Sequence, residues 1–391
     1  MRRRYYRGRD FRRALTIEEL RGIARRRLPG FALEYLEGAA EDEITLRRNR
    51  AVFEKILFLP RTLIDVGKRE LSTQLFGRTI QLPLVIGPTA VNGMLCHGAD
   101  LALARTARKF GIPFTLSTIS TSRIEDVVAQ AEGYVWFQIY NMRDRDFWKR
   151  LVRRSAAAGC ETLVITTDVP VFGNREWDAR NYRAPGKPSL RSMLDVLAHP
   201  RWLLDVMVLH GQPRFANLTE LFPPGHDRAS KGALSLSKQI DPTLNWSDVA
   251  MLRDLWKGKL VVKGVLTPAD AEIAARYGAD GIVLTNHGGR QLDGAVAPLE
   301  VLAEVHGAVG DRLTVMIDSG FRRGSDVVKA LALGAKVVLL GRAVLYGTAA
   351  GGEAGTVRAL EILRTEIDRV LALLGCTSIQ QLGPAHVRCT R

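Results

Sequence analysis

Short apolar runs alternate with amphipathic helical segments along most of the chain from about residue 82 onward. The apolar runs are rich in branched aliphatic residues and end abruptly in polar residues or glycine, a pattern typical of buried strands. They cover residues 83–87, 113–116, 135–139, 162–166, 260–262, 281–284, 313–317 and 336–340. Helical periodicity fills most of the gaps between them, at residues 100–110, 144–158, 268–277 and 325–333.

Eight strands that alternate with helices over about 260 residues are the pattern of a (β/α)8 barrel. An open, doubly wound sheet is the alternative, but no GxGxxG sequence follows the first strand. We therefore predict an α/β chain with one (β/α)8 TIM barrel domain over residues 16–391, preceded by a basic tail over residues 1–15. Thr16-Ile17-Glu18-Glu19 predicts a capping box that opens an N-terminal helical segment. A further amphipathic helix over residues 356–374 would complete the outer layer.

The fourth and fifth predicted strands are separated by more than 90 residues, far more than a connection in a βα unit needs. The excess, an insert over about residues 184–240, contains an apolar part at residues 190–212 with Trp202 and Pro200. Arginines flank this part at Arg191, Arg201 and Arg214. Two interpretations stay open, an interfacial membrane anchor and a lid or subunit contact. The basic tail favours the membrane anchor.

The chain of 391 residues is 46% hydrophobic, as expected for a large core, but its net charge is +15. Residues 1–13 alone hold seven arginines against one aspartate, which suits a polyanion or a solvated, disordered tail. We expect the tail to be disordered and expect no nucleic-acid partner, since nucleic-acid binding would not explain the strand ends described next.

The four cysteines form no CxxC pair and no metal-binding spacing, so we predict no metal site and reduced thiols in the cytoplasm. No signal-peptide core and no apolar run of 18 residues is present. The expected location is cytoplasmic, with peripheral attachment to the inner face of the cell membrane.

Polar residues follow every predicted strand, and in a barrel all eight strand ends meet at the C-terminal mouth, where such enzymes carry out their chemistry. One polar strand end means little, but eight around a single rim predict an active site. The strand-end residues are Pro88, Thr89, Ala90, Ser117, Gln138, Tyr140, Thr166, Asp168, Arg175, Lys263, Thr285, His287, Arg290, Asp318, Gly320, Gly341 and Arg342.

The last two strand ends predict a phosphate site. Asp318-Ser319-Gly320-Phe321-Arg322-Arg323-Gly324 leads into a helix, and Gly341-Arg342 follows the eighth strand. Barrels often bind phosphate there through backbone N–H groups, a helix N-terminus and arginine. The ligand is therefore expected to be phosphorylated.

Lys263, at the end of the fifth strand, has two interpretations. It suits a Schiff base of the kind found in barrel aldolases. It equally suits a fixed positive charge beside a cofactor that becomes anionic on reduction. Flavin mononucleotide (FMN) fits the second interpretation. With its phosphate at strands seven and eight, FMN would turn the N1 edge of its ring toward Lys263. Gln138, Thr166 and Ser117 would form hydrogen bonds with the ring.

His287 suits a general base, because its unperturbed pKa lies near neutrality, and Asp168 suits the carboxylate that orients it. Arg175 and Arg290 together favour an anionic substrate, most simply a carboxylate. These residues predict oxidation of a hydroxy acid by a flavin. They leave open whether His287 removes a proton from oxygen, with hydride transfer from carbon, or from carbon itself.

Residues 88–90, 136–140, 285–291, 318–324 and 339–342 together carry a specific resemblance. The chain resembles the FMN-dependent 2-hydroxy acid dehydrogenase and oxidase family over nearly its whole length beyond the tail. Asn92-Gly93-Met94, residues 199–202 of the insert and residues 318–324 are most similar to members that act on (S)-mandelate. Quinone-linked members that act on L-lactate are next.

The resemblance implies oxidation of a mandelate-like (S)-2-hydroxy acid to the 2-oxo acid, with electrons passed to quinone or another acceptor. It also implies a homo-oligomer, a tetramer in the family, and membrane contact through the insert. His287 would be the base beside Asp168, Arg290 and Tyr35 would bind the substrate carboxylate with Arg175 near them, and Tyr140 would contact the substrate hydroxyl. The implied FMN-binding residues are Pro88, Thr89, Ala90, Ser117, Gln138, Thr166, Lys263, Thr285, Asp318, Gly320, Arg322, Gly341 and Arg342.

Three positions keep alternatives open. Tyr35, judged by its helical context alone, would be a core aromatic residue. Ala90 stands where mandelate and respiratory lactate enzymes tend to have glycine and oxidases have alanine, so the acceptor is quinone or oxygen. Thr285 replaces a common serine but keeps the hydroxyl group. L-lactate dehydrogenase and 2-hydroxy acid oxidase are the alternative activities, and a Schiff-base aldolase is the alternative from another class.

Overall fold

The computed structural model describes residues 5–132, 134–176, 180–184, 187–223, 227–228 and 236–390. Eight parallel strands close into a barrel in the order of the chain, β1 next to β2 and β8 next to β1. They are β1 (Leu84–Ile86), β2 (Phe114–Ser117), β3 (Val135–Ile139), β4 (Thr162–Thr166), β5 (Lys259–Val265), β6 (Gly281–Leu284), β7 (Thr314–Ile317) and β8 (Val337–Leu340). The predicted (β/α)8 TIM barrel is confirmed, and seven of the strands lie within one residue of their expected bounds. The fifth strand is longer than predicted and continues to Val265, so Lys263 lies inside it rather than after it.

The strands are apolar on both faces because both faces are buried. Side chains that point into the barrel form one fully buried cluster, which includes Val85, Trp136 and Met316. Leu84 and Ile86, on either side of Val85, belong instead to the cluster under the surrounding helices. The inner cluster also takes Leu75 from an antiparallel hairpin, Thr73–Leu75 with Arg78–Ile80. That hairpin, which the sequence pattern did not predict, helps to fill the barrel core.

The helices that cover the barrel include the four predicted between the strands, each within about one residue of its expected start. In chain order they are α1 (Ile17–Arg27), α2 (Gly30–Glu37), α3 (Ile44–Ala51), α4 (Ala99–Lys109), α5 (Ile124–Ala131), α6 (Arg145–Ala157), α7 (Leu190–Leu197), α8 (Pro200–Leu203), α9 (Trp246–Leu255), α10 (Pro268–Arg276), α11 (Pro298–Val309), α12 (Gly324–Ala332) and α13 (Arg342–Leu374). The helix predicted over residues 356–374 is the second part of α13, which is kinked at Gly351 and Gly352.

The N-terminal segment forms only half of the predicted capping box. Thr16 accepts the backbone N–H of Glu19 at 3.1 Å, as expected. The Glu19 carboxylate does not return to Thr16; it accepts the N–H groups of Leu15 at 2.6 Å and Tyr6 at 2.8 Å. Arg358 of α13 donates to the carbonyl of Ala14 at 2.8 and 3.0 Å. The last residues of the basic tail are therefore held against the barrel.

The insert between β4 and β5 lies over the barrel mouth, and its parts at residues 185–186, 224–226 and 229–235 are outside the described residues. The indole N–H of buried Trp202, in α8, donates to the carbonyl of Met94 at 2.8 Å. Asp195 of α7 accepts the N–H of Gly30 at the start of α2. Over the described residues, no helix is long and apolar enough to cross a bilayer.

Candidate active site

The C-terminal mouth of the barrel contains a cavity of about 660 Å³. Most of the residues predicted for the site line it, and they arrive from all eight strand ends and from α2. The predicted residues in its lining are Tyr35, Pro88, Thr89, Ala90, Ser117, Gln138, Tyr140, Thr166, Arg175, Lys263, His287, Arg290, Asp318, Gly320, Arg322, Gly341 and Arg342. Asp168 and Thr285 lie behind this lining, each in contact with a residue that reaches it.

His287 and Asp168 form the central pair of the site. Nδ1 of His287 lies 3.1 and 3.2 Å from the two carboxylate oxygens of Asp168. Burial by itself would raise the pKa of Asp168, but the charges of His287 and Lys263 and the hydrogen bond from His287 lower it overall. The carboxylate therefore stays charged, and it orients the imidazole by accepting from Nδ1.

The loop after β6 places His287 in an unusual backbone conformation. His287, Gly288 and Gly289 all have left-handed φ angles, of +58°, +67° and +78°. A non-glycine residue in this region is uncommon and is held there by its surroundings. Thr285 contributes by accepting the N–H of His287 at 2.9 Å. A Cβ added at Gly289 would lie 2.8 Å from the backbone nitrogen of Leu46, so the loop also requires glycine for close contact with α3.

A reciprocal amide pair anchors this loop, and sequence reasoning missed it. Asn49 of α3 donates to Asn286 at 2.8 Å, and Asn286 donates back to Asn49 at 2.7 Å, with both side chains buried. Asn286 also accepts the N–H of Gly289 at 3.1 Å and donates to the carbonyl of Val296 at 3.0 Å. The N-terminal segment thereby supports the left-handed turn that presents His287. No local pattern marks Asn49, because its partner is 237 positions away.

Lys263 is a buried ammonium rather than a neutral amine. Its Nζ lies 3.4 Å from Oδ2 of Asp318 and 3.3 Å from Oγ1 of Thr285. Burial lowers the pKa of Lys263, but the carboxylates of Asp318 and Asp168 raise it by more, so the net direction is upward. A Schiff-base lysine needs a neutral amine to attack a carbonyl group. The geometry therefore favours a fixed positive charge and disfavours the aldolase alternative.

Two guanidinium groups and a phenol form one wall of the cavity. The guanidinium carbons of Arg290 and Arg175 lie 5.1 and 5.9 Å from the centre of the Tyr35 ring. Nη1 of Arg290 also donates to the carbonyls of Tyr35 at 2.7 Å and Gly38 at 2.8 Å. Tyr35 packs against the hydrophobic core, as its helical context predicts, and α2 also brings this side chain to the cavity lining. The phenol of Tyr35 donates to the carbonyl of Ala90 at 3.3 Å.

Tyr140 adds a hydrogen-bond donor beside this wall. Burial raises the pKa of its phenol above the usual range, and the negative charge of Asp168 acts in the same direction. The phenol therefore stays protonated near neutral pH and can donate a hydrogen bond to a ligand oxygen.

Arg342 concentrates positive charge at the phosphate end of the cavity. Its guanidinium donates to the carbonyls of Leu36 at 2.9 Å, Gly288 at 2.8 Å and Gly38 at 2.8 Å. Burial, followed by repulsion from Arg290, lowers the pKa of Arg342 to about 9, and Arg322 contributes to the same shift. A bound anion would relieve this repulsion. The arrangement therefore fits the predicted phosphate group.

Polar groups on the floor and side of the cavity fit a flavin ring. Ser117 donates to Gln138 at 3.1 Å, and Gln138 donates to Thr166 at 2.9 Å, all three being buried. The hydroxyl oxygen of Thr89 and Oδ1 of Asn92 are buried without a hydrogen-bond partner in the described part of the chain. Buried polar atoms in proteins are almost always hydrogen-bonded. Atoms of this kind in the lining are therefore suited to a polar cofactor.

Comparisons with known proteins agree with this geometry. A family model described as FMN-dependent dehydrogenase matches residues 24–389. The chain belongs to the family of FMN-dependent dehydrogenases. This dehydrogenase is 47% identical to (S)-mandelate dehydrogenase of Pseudomonas putida over 374 residues, which are 95% of this chain and 93% of that protein. It is 45% identical to a putative L-lactate dehydrogenase of Mycobacterium tuberculosis, over 96% of this chain and 89% of that one.

Solved structures give the same result. The crystal structure of the monotopic membrane protein (S)-mandelate dehydrogenase matches this dehydrogenase with a TM-score of 0.92 and 46% identity, covering 96% of this chain and 100% of that chain. The predictions of the family, the fold, the FMN cofactor and the class of oxidoreductase are confirmed. The expected order of resemblance, with mandelate dehydrogenase first and lactate dehydrogenases next, is confirmed as well.

Proposed function

We propose that this dehydrogenase oxidises a mandelate-like (S)-2-hydroxy acid to the 2-oxo acid and passes the electrons from FMN to quinone. The observation that carries the proposal is the pair His287–Asp168 in a cavity that also holds Arg290, Arg175 and protonated Tyr140. A base, an anion-binding wall and a phenol that can donate to a hydroxyl oxygen together suit the oxidation of a 2-hydroxy carboxylate. The similarity to the Pseudomonas putida enzyme supports the choice of substrate.

Substrate binding begins at the wall of positive charge. In this proposal the carboxylate lies against Arg290 and Arg175, with Tyr35 between them. Tyr140 donates to the oxygen atom on carbon 2, which places the hydroxyl group near His287. The contacts of Arg290 with the carbonyls of Tyr35 and Gly38 hold its guanidinium in place before substrate arrives. Such preorganisation reduces the entropy lost on binding.

The aromatic part of the cavity favours an aryl side chain. Phe31, Phe172 and Phe215 line it together with aliphatic residues, and the volume of about 660 Å³ exceeds what a methyl group would need beside FMN. L-lactate would leave most of this apolar lining without contact. The preference for mandelate over L-lactate follows from that difference in buried apolar area.

Proton transfer falls to His287. Its Nδ1 faces Asp168, so the neutral ring donates from Nδ1 and has its lone pair on Nε2. Nε2 takes the substrate proton, and the charge of Asp168 stabilises the imidazolium that forms. FMN, when bound, supplies the acceptor for the two electrons. Lys263 holds a positive charge that would offset the negative charge gained on reduction, and Arg322, Gly341 and Arg342 would hold the phosphate.

The insert supplies the proposed route to a membrane acceptor. Leu190, Leu194, Leu197, Val208 and Leu209 each expose at least 60% of their surface. Apolar side chains in that number on one insert are suited to the boundary between head groups and acyl chains. The solved structure of a relative named as a monotopic membrane protein supports membrane contact through the insert. We propose peripheral attachment to the inner face of the cell membrane, and a tetramer as the assembled form.

An anaerobic titration of the purified holoenzyme tests the proposed function. Loss of the flavin absorption band is followed with (S)-mandelate and L-lactate in parallel. Bleaching by (S)-mandelate at much lower concentration is expected. Bleaching mainly by L-lactate would change the substrate to lactate, and a yellow protein that neither compound bleaches would contradict both. Reoxidation of the reduced enzyme by a soluble quinone and by oxygen, measured side by side, then identifies the acceptor.

A further inference from the structure

Asp100 lies in the first turn of α4 and is completely buried, yet its carboxylate does not cap that helix. The N-cap position belongs to Gly98, which makes no side-chain capping bond. Asp100 instead accepts from Nδ2 of Asn92 at 2.8 Å, and from the N–H and the hydroxyl group of Thr121, each at 2.9 Å. Its hydrogen bonds therefore join the loop after β1 to the loop after β2.

No ion pair reaches Asp100 within the described residues. Burial raises the pKa of this carboxyl group, although hydrogen bonds from Asn92 and Thr121 act in the opposite direction. An acid buried without a cation is unfavourable unless its hydrogen bonds compensate for the loss of water. A carboxylate in the first turn favours the helix dipole, but no N–H of α4 is among the hydrogen bonds that Asp100 accepts. Those hydrogen bonds come from the two loops and hold them together.

Asn92 connects Asp100 to the cavity wall. Its Nδ2 also donates to the carbonyl of Thr89 at 3.2 Å. Thr89 and Ala90 line the cavity directly. Val91, the next residue, has a left-handed φ of +54°, a strained conformation for a β-branched residue that persists only when its neighbours enforce it.

The two loops touch with no space between them. The hydroxyl group of Thr121 accepts the N–H of Gly93 at 3.1 Å, and a Cβ added at Gly93 would lie 2.6 Å from that oxygen. Thr121 therefore binds the carboxylate of Asp100 and the loop after β1 at the same time. A shift of either loop would disturb Asp100, Asn92 and Thr89 together.

We propose that Asp100 is a positioning residue that fixes, through Asn92, the wall formed by Thr89 and Ala90, and thereby controls the reactivity of bound FMN with oxygen. The inference rests on the proposed function, with FMN bound in the cavity that Thr89 and Ala90 line. The position of Thr89 and Ala90 determines which contacts they make with the flavin ring. It also determines how much space beside the ring is open to oxygen. Asp100 would act without touching cofactor or substrate.

The substitution Asp100→Asn separates this role from simple packing. It keeps the volume of the side chain but puts an amide donor opposite Nδ2 of Asn92. The Asn92 amide can relieve this conflict by turning over, because its Oδ1 has no hydrogen-bond partner in the described part of the chain. Nδ2 then leaves the carbonyl of Thr89, and the wall loses its tether. Asn92→Ala removes the same tether directly.

Thr106→Ala is the matched control. Thr106 is completely buried in α4, and its hydroxyl group donates to the carbonyl of Ala102 at 2.8 Å, without contact to the cavity. For each variant we would measure the FMN dissociation constant, the flavin midpoint potential, the thermal unfolding temperature and the rate at which oxygen reoxidises photochemically reduced FMN. Photochemical reduction removes any dependence on the substrate.

Asp100→Asn and Asn92→Ala are expected to weaken FMN binding about fivefold to tenfold and to shift the reoxidation rate in the same direction as each other, as loss of one buried hydrogen bond implies. Thr106→Ala should lower the unfolding temperature and leave the other three quantities unchanged. If Asp100→Asn and Asn92→Ala behave like Thr106→Ala, Asp100 only stabilises the fold and the inference is wrong. If Asp100→Asn does not fold, Thr121→Ala takes its place, because it removes a hydrogen bond to Asp100 at a residue outside the cavity lining. An unsubstituted protein that binds no FMN would overturn the proposed function itself.

Discussion

Asp168 and His287 are 119 positions apart in the chain, yet both carboxylate oxygens lie within 3.2 Å of Nδ1 of the imidazole. The two residues follow β4 and β6, and the barrel brings the ends of these strands to one rim. Because Asp168 accepts from Nδ1, Nε2 is the nitrogen that can take a proton. The pair therefore determines which atom of His287 acts as the base.

His287→Ala should lower the rate of flavin reduction by substrate by a factor of about 10² to 10⁴, the usual contribution of a general base. Asp168→Asn should lower it less, because the imidazole remains but loses the charge that stabilises its protonated form. FMN content should stay near normal in both variants. Anaerobic stopped-flow measurement of flavin bleaching gives the rates.

The control for this experiment is His306→Ala, since His306 is exposed on α11, away from the C-terminal mouth. It should reduce flavin at the unsubstituted rate. A His287→Ala variant that does the same would remove His287 from the role of base.

The repulsion around Arg342 predicts that the FMN-free protein binds inorganic phosphate. Binding to the folded state alone raises its unfolding free energy, by about 2.7 kcal/mol at a phosphate concentration 100 times the dissociation constant. Thermal unfolding of the FMN-free protein in phosphate and in chloride of equal ionic strength measures the effect. Arg342→Met should remove most of it, whereas Arg312→Met, at an exposed position on the other side of the protein, should not. Equal stabilisation of both variants would place the anion elsewhere.

The exposed leucines of α7 predict how the protein binds vesicles. Leu194 and Leu197 expose 68% and 65% of their surface, and burial of one leucine in an apolar phase contributes about 2 kcal/mol. The double substitution Leu194→Glu and Leu197→Glu should therefore reduce cosedimentation with lipid vesicles at least about tenfold. Leu373→Glu is the control, because Leu373 is 69% exposed but lies on α13, outside the insert. Unchanged sedimentation of the double variant would favour a lid or subunit contact.

The amide pair predicts that a residue outside the barrel affects catalysis. Asn49→Ala should lower the unfolding free energy by about 1–3 kcal/mol, because the buried amide of Asn286 loses the donor and the acceptor that Asn49 supplies. It should also slow flavin reduction, because the left-handed turn at His287 loses support. Asn217→Ala removes a buried amide that bonds Ser120 and Ser122 instead. Asn217→Ala should lower the unfolding free energy by a similar amount but leave the rate of flavin reduction unchanged. If Asn49→Ala also reduces flavin at the unsubstituted rate, Asn49 has only a structural role.

The barrel and most of its functional rim were predictable from the sequence because their signals are local. Buried strands such as residues 281–284 leave a continuous apolar run, and the polar residue after each run must reach the same rim once the strands close in order. This rule predicts from the sequence alone that His287, Asp168 and Lys263 share one site. The same logic predicted the phosphate end at Gly341 and Arg342.

Contacts between distant segments could not be predicted in this way. Tyr35 and Asn49 lie before the barrel, and nothing in their helices shows that one faces the cavity and the other an amide 237 positions away. Asp100 resembles any acid at the start of a helix until its partners in two loops are seen. Short-range periodicity thus determined the fold and the identity of the rim residues. Only the tertiary structure decided which neighbours orient them, because a hydrogen bond across the fold leaves no trace in the local pattern of either partner.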